Sequence, residues 1–194
     1  MRRKTLFSAL ALAAAGLLLS GVSAGKDDKD RKINVDLTGF EEVPVVITTG
    51  NGSLKLTIDQ KARTIDYVLT FADLQADITQ SHIHVAQTSV NGAIVLWLCQ
   101  TQGTQAPAAV AAITPFCNAT AGNTPRAGTV TGTLRDANAL AGAAPNPQQL
   151  AAGSLDDALI AIAAGKAYGN VHTTASPGGE IRGQVKHDHG GHKD

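Results

Sequence analysis

Residues 52–71, GSLKLTIDQKARTIDYVLTF, alternate apolar and polar side chains on both sides of a short polar break. Successive side chains of an extended chain point to opposite faces, so a period of two is typical of a strand with one buried face. The stretches 52–59 and 64–71 are therefore predicted to be two strands. The break DQKAR, residues 59–63, predicts a hairpin turn that makes the pair antiparallel.

The rest of the chain carries further strand patterns, at 33–40, 81–86, 93–98, 128–134, 167–174 and 179–185. The stretch AIVLWL at 93–98 is apolar throughout, which favours a strand covered on both faces. One late helix is predicted in SLDDALIAIAAGKAY, beginning at Ser154 and ending at Gly165. This pattern predicts an all-β fold: an antiparallel β-sandwich or barrel, immunoglobulin- or superoxide-dismutase-like, with one short helix near the C-terminus.

The first 24 residues have the pattern of a signal peptide. A basic cluster is followed by a short apolar run and then by Val22-Ser23-Ala24, which predicts cleavage after Ala24. The apolar run is short for a membrane anchor and contains Ser8, Gly16 and Ser20. Residues 25–32, GKDDKDRK, are expected to be a charged, mobile lead-in. A secreted or periplasmic protein is therefore predicted.

Charge argues against nucleic acid as a partner. Without the leader, 13 basic residues stand against 16 acidic ones, and no basic cluster remains to neutralise phosphates. No later segment is apolar enough to be a transmembrane helix. The 170 residues that follow Ala24 are expected to form one domain with a core of its own.

The two cysteines permit one intramolecular pairing, Cys99 to Cys117. A disulfide is the favoured state in an exported chain, and two free thiols are the alternative. The bond would close the base of a long surface excursion, residues 100–128, which is rich in Gln, Thr, Ala, Pro and Gly.

Four short motifs carry a resemblance to a known family. They are FEEVP at 40–44, SHIH at 81–84, YGNVHT at 168–173 and PGGEIRGQ at 177–184, in that order. Together they resemble the CHRD domain, named after chordin, across residues 33–186, although Ser81 and Gly169 depart from the family's usual residues. The resemblance implies a β-rich extracellular domain. We expect an extracellular or envelope partner, whose identity the sequence does not give.

His82 and His84 are two residues apart in a predicted strand, so they share one face of it. Tyr168, Asn170 and His172 share a face of a later strand for the same reason. If these strands are neighbours, or face each other across a barrel, three imidazoles converge and could bind copper or zinc. Glu180 is a candidate fourth ligand, or one of the residues that orient the imidazoles, and Tyr168 and Asn170 are also candidates for orienting them.

Several readings of the histidines remain open. The leading one is a non-catalytic binding module with a mononuclear metal site at His82, His84 and His172. The second is a structural or adhesive domain in which the imidazoles only join strands through hydrogen bonds. A redox metalloenzyme is the least favoured, because a dismutase-type site with two metals needs more histidines and an aspartate.

No catalytic residue is predicted. Ser81 precedes His82, but adjacent strand residues point to opposite faces, so the hydroxyl and the imidazole diverge. No nucleophile elbow or phosphate-binding glycine loop is present. The tail 187–194, with His187, His189 and His192, is expected to be flexible, with loose metal binding as an alternative.

Overall fold

The computed structural model describes residues 30–119, 122–142, 144–145 and 148–186. Eight strands span β1 Arg31–Thr38, β2 Asn51–Asp59, β3 Thr64–Ala72, β4 Ile78–Val85, β5 Ala93–Cys99, β6 Gly128–Leu134, β7 Ala167–Thr173 and β8 Ile181–Val185. Two α-helices span α1 Ala108–Ala111 and α2 Leu155–Ala163, and 3₁₀ turns occur at Gly39–Glu41 and Asp136–Asn138. Strand β1 begins two residues before the predicted domain boundary at residue 33, so Arg31 and Lys32 belong to the sheet and not to the lead-in.

All eight strands form one antiparallel sheet in the order β5-β4-β7-β8-β1-β2-β3-β6. The sheet curls into a nearly closed barrel, which confirms the predicted fold class. The β2–β3 hairpin has the predicted alternation. Leu54 lies opposite Leu69, and Leu56 opposite Tyr67. All four side chains are buried in the main core.

The two outer strands of the sheet, β5 and β6, meet at a seam that is joined by side chains. From β3 the hydroxyl of Tyr67 donates to the carbonyl of Leu98 on β5, 2.6 Å away. Asn123 donates to the carbonyl of Cys117 at 2.9 Å and accepts from the backbone N–H of Thr129 on β6 at 2.9 Å. Tyr67 thus joins β5 to β3, the neighbour of β6, and Asn123 joins the excursion that follows β5 to β6.

The late helix is present, but its start differs from the prediction. Ser154 occupies the N-cap position without a side-chain capping bond. The backbone N–H of Leu155 donates to Asp136 Oδ1, 3.0 Å away, so a carboxylate from another segment satisfies this end. Gly165, with φ +66°, ends the helix as predicted. The short helix α1, inside the excursion, was not predicted.

Cys99 and Cys117 form the predicted disulfide, across a sequence separation of 18. Both cysteines are fully buried. We expect the Cys99→Ser/Cys117→Ser variant to lose about 3 kcal/mol of unfolding free energy, because the open loop has more conformations when unfolded. Equilibrium urea unfolding of the two proteins measures the difference. Equal unfolding free energies would show that the excursion holds the seam without the bond.

Candidate metal centre

Strands β4 and β7 are neighbours in the sheet, and their register gathers the three histidines of the domain. His82 lies opposite Asn170, His84 opposite Tyr168, and His172 opposite Gln80. Ile83 and Val171 point to the other face, into the main core. The histidines therefore lie on the outer face of the barrel wall, yet loops cover them. They are 0%, 6% and 5% exposed.

The nitrogens of the three imidazoles converge. One ring nitrogen from each of His82, His84 and His172 lies within 4.8 Å of the others. The Nδ1 of His82 is 3.1 Å from the Nε2 of His172. Asn170 Oδ1 lies 3.1 Å from the Nε2 of His84 and 3.0 Å from the Nε2 of His172. Four side-chain atoms thus surround one small volume.

Two backbone carbonyls fix the protonation of two of these rings. The Nδ1 of His84 lies 3.0 Å from the carbonyl of Gly92, and the Nδ1 of His172 lies 2.9 Å from the carbonyl of Pro177. A carbonyl can only accept, so each Nδ1 carries the hydrogen. Both Nε2 atoms then present lone pairs to the shared volume. A histidine that binds a metal usually has this arrangement, with its other nitrogen donating to a carbonyl.

Burial keeps the imidazoles neutral at pH 7. Burial lowers the pKa of His84 to about 4, although the hydrogen bond to Gly92 acts against this shift. Burial also lowers the pKa of His82, well below its ordinary value, with neighbouring His172 and His84 adding to the effect. The pKa of His172 is lowered by burial and raised in part by its bond to Pro177. Neutral imidazole is the form that binds a metal.

Tyr168 and Arg182 hold the ring of His84 from one side. The His84 and Tyr168 rings are stacked, with centroids 4.6 Å apart and planes 3° from parallel. The guanidinium of Arg182 lies over the ring of Tyr168, 3.4 Å from the ring centroid. Arg182 is 1% exposed and donates to Asn91 Oδ1 at 3.0 Å and to the carbonyl of Val90 at 2.9 Å.

Gly92 contacts two members of this stack through its backbone. Its carbonyl accepts from His84, and its N–H donates to the hydroxyl of Tyr168 at 3.3 Å. A β-carbon at this position would stand 2.0 Å from the carbonyl oxygen of Val85, so only glycine fits. Sequence reasoning missed this role, because nothing in the residue type of Gly92 reports where its carbonyl points.

Glu42 is a second residue of the site that sequence reasoning did not place there. Glu42 is 6% exposed, and its carboxylate lies close enough to the side chain of Asn170 for that side chain to lower its pKa. Burial raises its pKa to about 7, while Arg182 and Asn170 act in the opposite direction. Its Oε1 atom has no hydrogen-bond partner among the described residues.

Glu180 lies apart from the imidazoles, unlike the other candidates. Its Oε1 accepts from the hydroxyl of Thr48 at 2.7 Å and from the backbone N–H of Gln75 at 2.8 Å, and its Oε2 accepts from the hydroxyl of Thr173 at 2.7 Å. None of the bonds described for this carboxylate involves a histidine. The expectation that Glu180 is a ligand or orients a ligand is therefore not met by its position.

Trp97 covers His82 from β5. The two rings are 4.2 Å apart between centroids and meet edge to face at 73°. The Nε2 of His82 and the indole nitrogen of Trp97 are both buried, and neither has a hydrogen-bond partner among the described residues. The Trp97 side chain also belongs to a second apolar cluster, which lies on the outside of the barrel and includes Ala106 and Val110.

Some predictions fall on residues outside the described part of the chain. These are the signal peptide 1–24, residues 25–29 of the lead-in, and the histidines of the tail at 187, 189 and 192. Within the described ranges, no helix has the length and apolar character that a membrane crossing requires.

Comparison with known proteins adds the family. The chain matches no curated protein and no solved structure. The CHRD domain profile matches residues 33–185, most of the chain, and this range contains the FEEVP, SHIH, YGNVHT and PGGEIRGQ motifs. On this match, the chain belongs to the CHRD domain family.

Proposed function

We propose that this protein is an exported, non-catalytic binding module in which His82, His84 and His172 hold one transition metal ion, copper or zinc. The buried Cys99–Cys117 disulfide and the CHRD domain support an extracellular or periplasmic location. The leader sequence adds the export signal. The partner is an extracellular or envelope component, and the metal centre would fix the loops that meet it.

One observation supports the metal assignment: two imidazole nitrogens and an amide oxygen converge, and none of these three atoms carries a hydrogen. The carbonyls of Gly92 and Pro177 accept hydrogen bonds from the Nδ1–H groups of His84 and His172. Their Nε2 atoms then face Asn170 Oδ1, which is itself an acceptor. A metal ion relieves the repulsion among such acceptors, since each of them donates a lone pair to it.

The spacing also fits a single ion. Two nitrogens bound to one tetrahedral zinc at about 2.0–2.1 Å stand about 3.4 Å apart. His82 Nδ1 and His172 Nε2 are 3.1 Å apart, and the three donor atoms span at most 4.8 Å. The imidazole nitrogens that are farthest apart would have to move closer together for one ion to reach all three. Neutral nitrogen ligands suit zinc and copper better than magnesium or calcium, which prefer oxygen.

Asn170 and Glu42 would support the ion from one side. The amide of Asn170 offers Oδ1 towards the imidazoles while its nitrogen side meets the Glu42 carboxylate. An ionised Glu42 holds this orientation and places a negative charge close to an otherwise neutral set of ligands. Outer partners of this kind commonly change metal affinity by about 10- to 100-fold.

The test compares metal content in variants of the full chain. The reference carries His187→Ala, His189→Ala and His192→Ala, so that the tail cannot contribute. After treatment with a chelator and reloading, we expect about one zinc or copper ion per chain by elemental analysis. We expect His84→Ala in the same background to retain less than about a tenth of that amount. Glu180→Gln is the matched control, and we expect it to bind as much metal as the reference.

A second function has its own support. If the amide of Asn170 is reversed, its two hydrogens can serve the Nε2 atoms of His84 and His172, and a protonated Glu42 can donate to its oxygen. The imidazoles would then be part of a hydrogen-bonded network in a structural or adhesive domain without metal. A reference chain that binds no metal, with equal urea midpoints before and after chelation, would select this function over the first.

A further inference from the structure

A cavity of about 540 Å³ opens beside the histidines, on the outer face of the barrel. Its walls come from three separate parts of the chain: Ile94 and Trp97 on β5, Pro107 in the excursion, and Leu140 after β6. His84 lies on its inner side. Its volume is within the range of about 300–1,000 Å³ that is typical of sites for small molecules.

The chemistry of the walls defines the class of ligand. No acidic side chain of the described residues lines the cavity, and its one basic side chain is His84, which is 6% exposed. The nearby backbone donors are engaged, since Gly92 N–H donates to Tyr168 and Ala93 N–H donates to Gln148 at 3.1 Å. A charged ligand would therefore lose its hydration without meeting an opposite charge in these walls.

The apolar walls are only partly buried by the protein itself. Ile94 and Leu140 are half-buried, although they belong to the outer apolar cluster around Trp97. An apolar ligand would remove the remaining exposed surface of these side chains from water. The cavity also lies next to the metal ligands, because Trp97 contacts both the cavity and the ring of His82.

From this arrangement we infer that the cavity binds a small, uncharged, largely apolar organic molecule that packs against Trp97 and the ring edge of His84. The site needs no metal, so the inference does not depend on the proposed metal centre. A ligand in the cavity would lie against His84. The binding module would then have a small-molecule ligand in addition to the proposed metal ion.

The test uses the neutral fluorescent probe N-phenyl-1-naphthylamine and the full chain in the presence of a chelator. Trp97 is the only tryptophan and lines the cavity, so its emission responds to a probe bound there. We expect probe emission to rise and Trp97 emission to fall along one saturable curve, with a Kd of about 10 μM. Absence of saturation up to about 200 μM would overturn the inference.

Two variants locate the probe. Ala141→Phe fills the cavity, and Leu140→Gln makes its wall polar at nearly constant size, so one of them remains informative if the other does not fold. We expect either substitution to raise the Kd for the probe at least tenfold. Ile47→Ser is the matched control, because Ile47 is an apolar side chain exposed elsewhere on the surface, and we expect unchanged binding. Equal binding by both cavity variants, or loss of binding in Ile47→Ser, would place the probe elsewhere and contradict the inference.

Discussion

Glu180→Ala is expected to lower the free energy of unfolding by about 5 kcal/mol. The carboxylate is fully buried and accepts three hydrogen bonds, from Thr48, Gln75 and Thr173. Alanine leaves two hydroxyls and one backbone N–H without a partner, at about 1–3 kcal/mol each. Thr48 precedes β2, Gln75 follows β3 and Thr173 lies in β7. The substitution therefore removes the hydrogen bonds that connect these three segments to the residue before β8. Equilibrium urea unfolding measures the change.

Glu180→Gln is the matched control for that substitution. Glutamine keeps one acceptor oxygen for Thr48 and Gln75, and its NH₂ group can donate to the hydroxyl oxygen of Thr173. We therefore expect a loss of only about 1–2 kcal/mol. If the alanine and glutamine variants unfold at the same urea concentration, the three hydrogen bonds do not stabilise the barrel in the way described.

The metal-free protein is expected to lose stability as the pH falls from 6.5 to 4.5. Histidines in the unfolded chain take up a proton near pH 6.5, while His84 in the fold does so only at about pH 4. Falling pH therefore stabilises the unfolded chain, by about 2 kcal/mol for His84 over this window. His82 and His172 act in the same direction, since their pKa values are also lowered.

Glu42 changes the free energy of unfolding with pH in the opposite direction. Its pKa is raised to about 7 in the fold, so between pH 7 and about 4.5 the folded state holds a proton that the unfolded chain has released. This contribution grows as the pH falls and offsets about 2 kcal/mol of the histidine effect. We expect Glu42→Gln to steepen the loss by that amount. Urea unfolding at a series of pH values checks both slopes, and a flat profile in the wild-type chain would contradict the assignment of neutral, buried imidazoles.

The strands could be read from the sequence because a half-buried strand imposes its period directly on the residue types. The alternation in 52–59 and 64–71 corresponds to β2 and β3, and the apolar run at 93–98 to a strand buried on both faces. The order of the strands could not be read in this way. Placing β8 between β7 and β1 depends on contacts between distant segments, and no local pattern encodes them.

The same limit applies to the candidate site. Parity along β4 and β7 was enough to place His82, His84 and His172 on one face, and the register of the two strands then brings them together. The groups that fix the rings are backbone carbonyls of Gly92 and Pro177, which have no signature in residue type. The prediction for Glu180 failed to match its position for a related reason. Glu180 precedes the first residue of β8 and follows Gly179, which has φ +127°, so the parity of the strand does not extend to it.

The neighbouring positions of β1 and β8 in the sheet have a consequence for protein engineering. The strands are antiparallel, with Thr38 opposite Arg182, so the beginning of β1 and the end of β8 lie towards the same rim of the barrel. A domain whose first and last strands lie side by side can be spliced into a surface loop of a host protein through two short linkers. The barrel could therefore be inserted into different host proteins as one unit, with the cluster of His82, His84 and His172 intact.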